Sequence, residues 1–372
     1  MSRIKGWCPG ALRPMESGDG WVVRIRPHGG RLTRVQAVGI AAAARVHGNG
    51  RIDLTGRANL QLRGATPGSH APLIADLRAL DLIDADLATE RRRNLAVTPF
   101  ADARTDRLAA ALEAALAASD LTLPAKFGFA VDTGPAPVLA ETPADIRLER
   151  GPCGRVILRA DGMETGAATE DPARDAVALA GWFLDRGGAP GGRGRMAALI
   201  ARGARPGGHD APAARPAPVP VPGLVPQGAL VALEFGQIAP ETLAALGPLR
   251  LTPWRMLLAE GARAMPDLPG LIHDPADPRL RLRACTGAPG CPQAHAAVRP
   301  LARDLAPLLP PGAILHVSGC AKGCGWPRAA DVTLTATPQG FDLIRNGRAF
   351  DPPIRRGLPA AQLPEVLDAL RL

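Results

Sequence analysis

Residues 52–64, IDLTGRANLQLRG, and residues 249–261, LRLTPWRMLLAEG, align without a gap, and their pairing decides how the chain is built. Leu54 meets Leu251, Thr55 meets Thr252, Leu60 meets Leu257 and Gly64 meets Gly261. Four identities in thirteen positions gain weight because the same order of elements surrounds both segments. Ahead of the first, residues 21–26 (WVVRIR) read as a strand, and residues 31–50 as a helix with apolar positions at helical spacing, closed by Gly48 and Gly50. Ahead of the second, VALEFGQIAPETLAAL repeats strand, glycine turn and helix. The chain therefore reads as a duplication of a two-part unit.

The second part of the unit is repeated too. A helical stretch at 71–80 and a long Ala/Leu helix at 103–118 lead to strands at 126–132 and 155–161 and a helix at 172–186. The tail DVTLTATPQGFDLIRNGRAFDPP predicts a hairpin followed by a C-terminal helix, echoing 155–186. Between the copies, a short helical piece at 196–204 gives way to a tract from Pro206 to Pro226 with seven prolines, which predicts an extended linker.

A chain of 372 residues is too long for one simple core, and 46% hydrophobic with 21% charged residues is a globular composition. No run reaches the 18 apolar residues of a spanning helix and the opening lacks a secretory signal, so the expected location is cytoplasmic, with no membrane partner. The net charge of +9 raises a nucleic-acid reading, but it comes from 41 arginines and three lysines in a chain with no tyrosine and four asparagines, a skew that looks like codon bias. A nucleic-acid binder needs a basic stripe interleaved with aromatics; aromatics are 3% here and the arginines are scattered, so no nucleic-acid partner is expected. Lys5, Lys126 and Lys322, the surviving lysines, carry more information than any arginine cluster.

Six cysteines in a chain this long are not a disulfide scaffold. Four form the pattern Cys285-x5-Cys291, 28 residues, Cys320-x3-Cys324, set among Gly and Pro residues that let backbone amides approach sulfur. Zinc competes as the metal, but its structural sites place paired ligands two to four residues apart, which the five-residue gap fits poorly. A four-iron cluster is the expectation. Lys322 lies between two of these cysteines, where a cation favours thiolates. Cys8 and Cys153 stand apart, the first either a buried thiol or close to substrate, the second structural.

The cysteine pattern resembles the cluster motif of the sulfite and nitrite reductase superfamily. LTGRANLQLRG at 54–64 resembles its Thr-x-Arg-x-x-x-Gln segment through Thr55, Arg57 and Gln61; RRRNLAVTP at 91–99 resembles its Arg-Asn segment, and LPAKFGFAVD at 123–132 its Lys-x-Lys segment. Within the superfamily, the opening KGWCPGALRPMESGDG and the short chain resemble the precorrin-3B synthase family. The resemblance implies an α+β fold duplicated about a pseudo-twofold axis, with two ferredoxin-like half-modules (1–80 and 227–280) and two larger α/β modules. The α/β modules would span 81–205 and, with the cluster cysteines, 281–372, leaving 206–226 as linker.

It also implies an activity: an oxygen-dependent monooxygenase of aerobic cobalamin synthesis, converting precorrin-3A to precorrin-3B by C20 hydroxylation with γ-lactone formation. Its partners would be a tetrapyrrole, dioxygen and an unidentified electron donor. Cys285, Cys291, Cys320 and Cys324 would hold a 4Fe-4S cluster, and a mononuclear non-haem iron is implied besides it. Such iron commonly uses two His and one carboxylate. No spacing among His28, His47, His70, His209, His273, His295 and His316 settles its ligands; His47, leading into the Arg57 segment, is the candidate. Arg57, Gln61, Arg93 and Lys126 would bind substrate, with Arg57 and Lys126 nearest the chemistry, since guanidinium forks suit a ring bearing carboxylate arms. The alternative is an assimilatory sulfite or nitrite reductase with sirohaem. In those enzymes two lysines of the Lys-x-Lys segment help hold an oxyanion; here Lys126 is kept and the second position is Gly128.

Overall fold

The computed structural model describes residues 9–369 and contains two pairs of sheets. Lys5 and Cys8 lie outside the described residues. In the first half-module the strands Met15–Ser17, Gly20–Ile25, Leu60–Ala65 and Ile52–Leu54 lie side by side. In the second, Gly223–Val225, Gly228–Leu233, Met256–Glu260 and Leu249–Leu251 take the same order. Each sheet is then closed by a two-residue strand from the other copy: Gln237–Ile238 pairs with Asp53 and Ile52, and Arg31–Leu32 with Arg250 and Leu249. The exchange is reciprocal, as a pseudo-twofold relation requires. Matching left-handed turns launch both exchanged strands, at Gly29 (φ 58°) and Phe235 (φ 54°).

This exchange corrects the helix expected over 31–50. Residues 31–32 are strand because they complete the neighbour's sheet, and the helix runs Arg34–His47. Thr33 starts it: its hydroxyl accepts from the Gln36 N–H, and the Gln36 side chain accepts from the Thr33 N–H.

The aligned segments match in conformation as well as in sequence. Ala58 (φ 53°) and Arg255 (φ 61°) occupy the same left-handed turn position, and Gly64 and Gly261 are both left-handed, at φ 81° and 72°. The retained threonine has a reason: Thr55 Oγ1 accepts from the N–H groups of Arg57 and Asn59, and Thr252 Oγ1 accepts from Trp254 N–H while donating to Met256 O. Ile52, Leu54, Leu60 and Leu62 share one buried core with Leu249, Leu251, Leu257 and Ala259, and the helices Arg34–His47, Pro67–Ala79 and Pro240–Leu246 pack into it.

The α/β modules repeat one another in topology. In the first, the parallel strands Leu95–Val97, Phe129–Asp132 and Ile146–Arg150 continue antiparallel through Val156–Ala160 and Thr165–Ala168, with helices Ala103–Ala118 and Pro172–Asp185 in its core. In the second, Leu282–Ala284, Leu315–Ser318 and Ala330–Thr337 are parallel, and Gly340–Gly347 and Arg355–Leu358 antiparallel, with helices Val298–Leu305 and Leu363–Asp368.

The helix expected at 103–118 is found with those bounds. Strands Ile146–Arg150, Leu282–Ala284 and Leu315–Ser318 escaped the pattern, being short, flanked on both faces and interrupted by Arg147, Glu149, Arg283 and His316. The proline-rich tract is extended but anchored: Ala211–Pro212 pairs with Gly166 and Thr165, Ala214 N–H donates to Arg150 O, and Ala217 N–H donates to Pro137 O. Among the described residues no helix is long and apolar enough to cross a membrane.

Candidate functional site

Both cysteine loops leave the carboxyl ends of parallel strands, Cys285 after Leu282–Ala284 and Cys320 just after Leu315–Ser318. This is where open α/β sheets form ligand sites. Cys285 Sγ accepts from Gly319 N–H at 3.2 Å, and His295 N–H donates to Gly319 O at 2.8 Å, so the first loop is stapled to the second. A Cβ at position 319 would lie 2.7 Å from Ala294 Cβ and 3.4 Å from Cys285 Sγ, which excludes any other residue there. Burial pushes the Cys324 thiol above its ordinary pKa, and the charges of Cys285, Cys320 and Cys291 push it further against the pull of Lys322. Among the described residues, no three Cys, His, Asp or Glu side chains are gathered so as to hold a single ion.

Sequence reasoning missed the wall behind these loops. Arg299 Nε donates to Cys285 O at 3.1 Å, and its Nη1 stands 4.0 Å from Asp53 Oδ1. Arg255 reaches out of the second half-module to donate from Nη2 to Gly325 O at 3.1 Å, directly after Cys324. Arg283 lies over Trp326 with 4.8 Å to the ring centre and donates to Leu280 O and Leu282 O. Beside it in register, His316 is 0% exposed with neither ring nitrogen hydrogen-bonded. Burial, then Arg255 and Arg283, hold its pKa down to about 4, so the imidazole is neutral. Burial likewise lowers Arg255 to about 9, helped by Arg283 and Arg299 and opposed by Asp53. The signal for Arg255 was present in the repeat, where it faces Ala58; among 41 arginines it did not stand out.

The first half-module touches the same region through its polar face. Arg63 grips Asp19 with Nε at 2.8 Å and Nη2 at 2.6 Å, donates to Ser17 Oγ, and lies 3.4 Å from Asp53 Oδ2. Burial opposes it, but the Arg63 hydrogen bond keeps the Asp19 carboxyl below its usual range. Ser17 Oγ in turn donates to Gly290 O at 3.1 Å, beside Cys291. The MESGDG stretch of the opening therefore braces a cysteine loop.

At the other end of the strand Leu60–Ala65, three segments singled out separately in the sequence meet. A Cβ at Gly128 would lie 2.8 Å from Asn94 Nδ2 and 3.4 Å from Arg57 Nη1. The absent second lysine has a physical cause: position 128 is buried against Asn94 and holds no side chain. Lys126 sits exposed in the turn before Phe127 and Phe129, whose rings fill the module core. The Gln61 amide accepts from Arg24 Nε and Nη2 at 3.2 and 2.8 Å, in the orientation that satisfies both groups.

Two of the expected residues stand in ion pairs of their own. Arg93 is 4% exposed, with Nε and Nη2 on Asp84 at 2.7 and 2.8 Å and Nη1 3.7 Å from Glu113. Its guanidinium is thus turned to these two carboxylates. His47 ends its helix with Nε2 2.8 Å from Asp76 Oδ2 and belongs to no three-ligand group among the described residues, so it does not fit as a ligand of a mononuclear iron. Cys153 is exposed in the turn after Ile146–Arg150.

Residues 13–80 match the family described as the nitrite/sulfite reductase ferredoxin-like half domain. The chain is 30% identical over 407 residues to a precorrin-3B synthase of Sinorhizobium sp, covering 98% of this chain and 86% of that protein. Among solved structures, the NirA protein of Mycobacterium tuberculosis superposes with a TM-score of 0.59 at 18% identity, over 94% of this chain and 79% of that one. At that identity the structural likeness speaks for the fold, a duplicated sulfite/nitrite reductase-like architecture.

Proposed function

The chain belongs to the precorrin-3B synthase family, and from that premise we propose how its residues serve an oxygen-dependent monooxygenase of cobalamin biosynthesis. Its substrate in this reading is the tetrapyrrole precorrin-3A, hydroxylated at C20 with closure of a γ-lactone onto the ring A acetate. One oxygen atom of dioxygen enters the product and the other leaves as water, which takes two electrons from an external donor.

The observation that carries the reading is the strand Leu60–Ala65, which begins beside Arg57 and the Gly128 turn and ends in the Arg63–Asp19–Ser17 brace under the Cys291 loop. Six strand residues span about 20 Å. A macrocycle lying along that face has a cationic end, with Arg57 and Lys126 for its carboxylate arms, and a thiol end. Arg57 and Lys126 act by orientation: charge-assisted contacts fix the ring so that one meso carbon is presented to the reacting oxygen. Asp145, accepting from Gly128 N–H at 3.0 Å, holds the turn that positions Lys126.

Cys285, Cys291, Cys320 and Cys324, on loops that leave two neighbouring parallel strands, would be the residues to hold a four-iron cluster. When bound, such a cluster supplies electrons one at a time. The cation wall of Arg255, Arg283 and Arg299 is suited to the anionic thiolates of such a site. Because the described residues offer no fitting set for a mononuclear iron, no step is assigned to one. The sirohaem reductase reading draws less support, since position 128 has no room for the second lysine of an oxyanion site.

The test is to purify the protein without oxygen, extract pigment into acid acetone, record low-temperature EPR after reduction, and incubate with precorrin-3A with and without dioxygen. A cluster signal without haem and an oxygen-dependent mass gain are expected. Extracted sirohaem would overturn the reading in favour of the reductase.

A further inference from the structure

The second copy of the duplicated turn differs from the first in a way the fold does not need. Position 58 is alanine and position 255 is arginine, both left-handed, a conformation that a long side chain seldom adopts. The Arg255 guanidinium leaves its own half-module and enters the α/β module, where Nη2 donates to Gly325 O at 3.1 Å and Nη1 lies 3.5 Å from Leu282 O. Those carbonyls flank the two cysteine loops, one residue after Cys324 and three before Cys285.

The charge itself is unbalanced. Its charged neighbours are Arg283 and Arg299, with Asp53 the opposing carboxylate that acts on it. Asp53 is already engaged by Arg63 at 3.4 Å and by Gln237 Nε2 at 2.7 Å. His316, packed beneath Gly323, is neutral and adds no negative charge. A buried cation without a counter-ion is strongly unfavourable, so a region where Arg255, Arg283 and Arg299 gather around the single carboxylate of Asp53 needs a further anion in reach. The cysteine loops whose carbonyls Arg255 holds are where such an anion would stand once their thiolates carry iron.

We propose that Arg255, seconded by Arg283, is the charge-balancing and positioning residue of the cysteine site, and that its cation raises the reduction potential of the group held there. The proposal rests on the iron–sulfur reading above. Taking up one electron makes a thiolate-ligated cluster one charge more negative, so a fixed cation nearby stabilises the reduced form more than the oxidised one. Arg255 also ties both loops through their carbonyls, which orients the thiols without contacting substrate.

The experiment is an anaerobic potentiometric titration of the holoenzyme followed by EPR, with iron and sulfide determined on each sample. In Arg255→Gln, which keeps a donor and loses the charge, the ratio of reduced to oxidised cluster at a fixed potential should fall about tenfold, a downward shift of about 59 mV for a one-electron couple. Arg255→Lys should restore most of it. An Arg255→Gln protein with full iron and an unmoved midpoint would overturn the proposal while leaving the cluster reading intact. Wild-type protein without iron, sulfide or an EPR signal would overturn the cluster reading itself, and the proposal with it. If Arg255→Gln assembles no cluster, Arg283→Gln is read in its place: a midpoint lowered by the same factor supports the proposal, and an unchanged one overturns it.

Discussion

The two copies carry the same ion pair with its signs exchanged. Asp53 faces Arg63 in the first half-module, and at the matched positions Arg250 faces Glu260 in the second. Each pair reaches across to a helix of the α/β module contributed by the other copy. Arg250 closes on Asp106 with two bonds of 2.8 Å, whereas Asp53 stands 4.0 Å from Arg299, which has turned to the carbonyl of Cys285. One side of the pseudo-twofold is a closed structural clamp. The other has been opened toward the thiols. Duplication explains why both halves fold alike, and the site lies where the likeness fails: with Leu95 set against Leu282 and Phe129 against Leu315, as the two parallel registers run, Thr98 falls at the place of Cys285 and Gly134 at that of Cys320, and the first module holds no thiol at either place.

The largest test of that contrast is Cys320→Ala, which should abolish cluster iron and its EPR signal, while Thr98→Ala in the matched loop should leave both intact. An undiminished signal in Cys320→Ala would refute the ligand set. Next comes the closed clamp. Arg250→Ala strands Asp106 and leaves Glu260 with Arg31 alone, and should cost about 3 kcal/mol in a denaturant titration, the low end for a buried pair because Asp106 is partly open to water and Glu260 keeps a partner. Asp53→Ala should cost less, its pairs being longer; equal losses would show that the two sides are equivalent after all.

One pH effect has no counterpart in the first copy, where Ala130 stands at the position of His316. Its folded pKa of about 4 lies below the ordinary 6.5, so between these values the unfolded chain binds the extra proton. Stability contributed by the neutral ring is therefore complete above pH 6.5 and lost as pH falls toward 4, by at most about 3 kcal/mol. His316→Ala should flatten the pH dependence of the unfolding midpoint over that window, whatever it costs at pH 8. The smallest effect concerns the substrate end. Arg57→Ala should weaken tetrapyrrole binding about ten- to a hundredfold with the cluster signal unchanged, and Trp254→Ala, its matched position, should leave binding within about twofold.

The duplication was legible because two tetrads of identical residues hold turns and core in both copies: Thr55 and Thr252 pin the turn, Leu60 and Leu257 fill the core, and Gly64 and Gly261 supply left-handed backbone. The thiols were legible from their spacing. The segments around Arg57, Asn94 and Lys126 were found one by one, and the structure shows why they belong together, at Gly128. What stayed hidden depends on contacts distant in sequence. Arg93 matched a motif yet is consumed by Asp84, a residue nine positions away that no pattern marks. Arg255, Arg283, Arg299 and His316 sit on turns, short strands and a helix whose periodicity says nothing of what faces them, and arginine is too common here for any one to signal its burial.

The exchange of two-residue strands bears on the chain as a folding unit. Arg31–Leu32 and Gln237–Ile238 are edge strands that each copy lends and neither keeps, so a fragment ending in the proline-rich tract has an open sheet edge and half of a shared core. Cutting the chain there yields two pieces that find stability by associating with each other. The reciprocal loan is the geometry of two arm-swapped subunits, held here in one chain by the proline-rich tract.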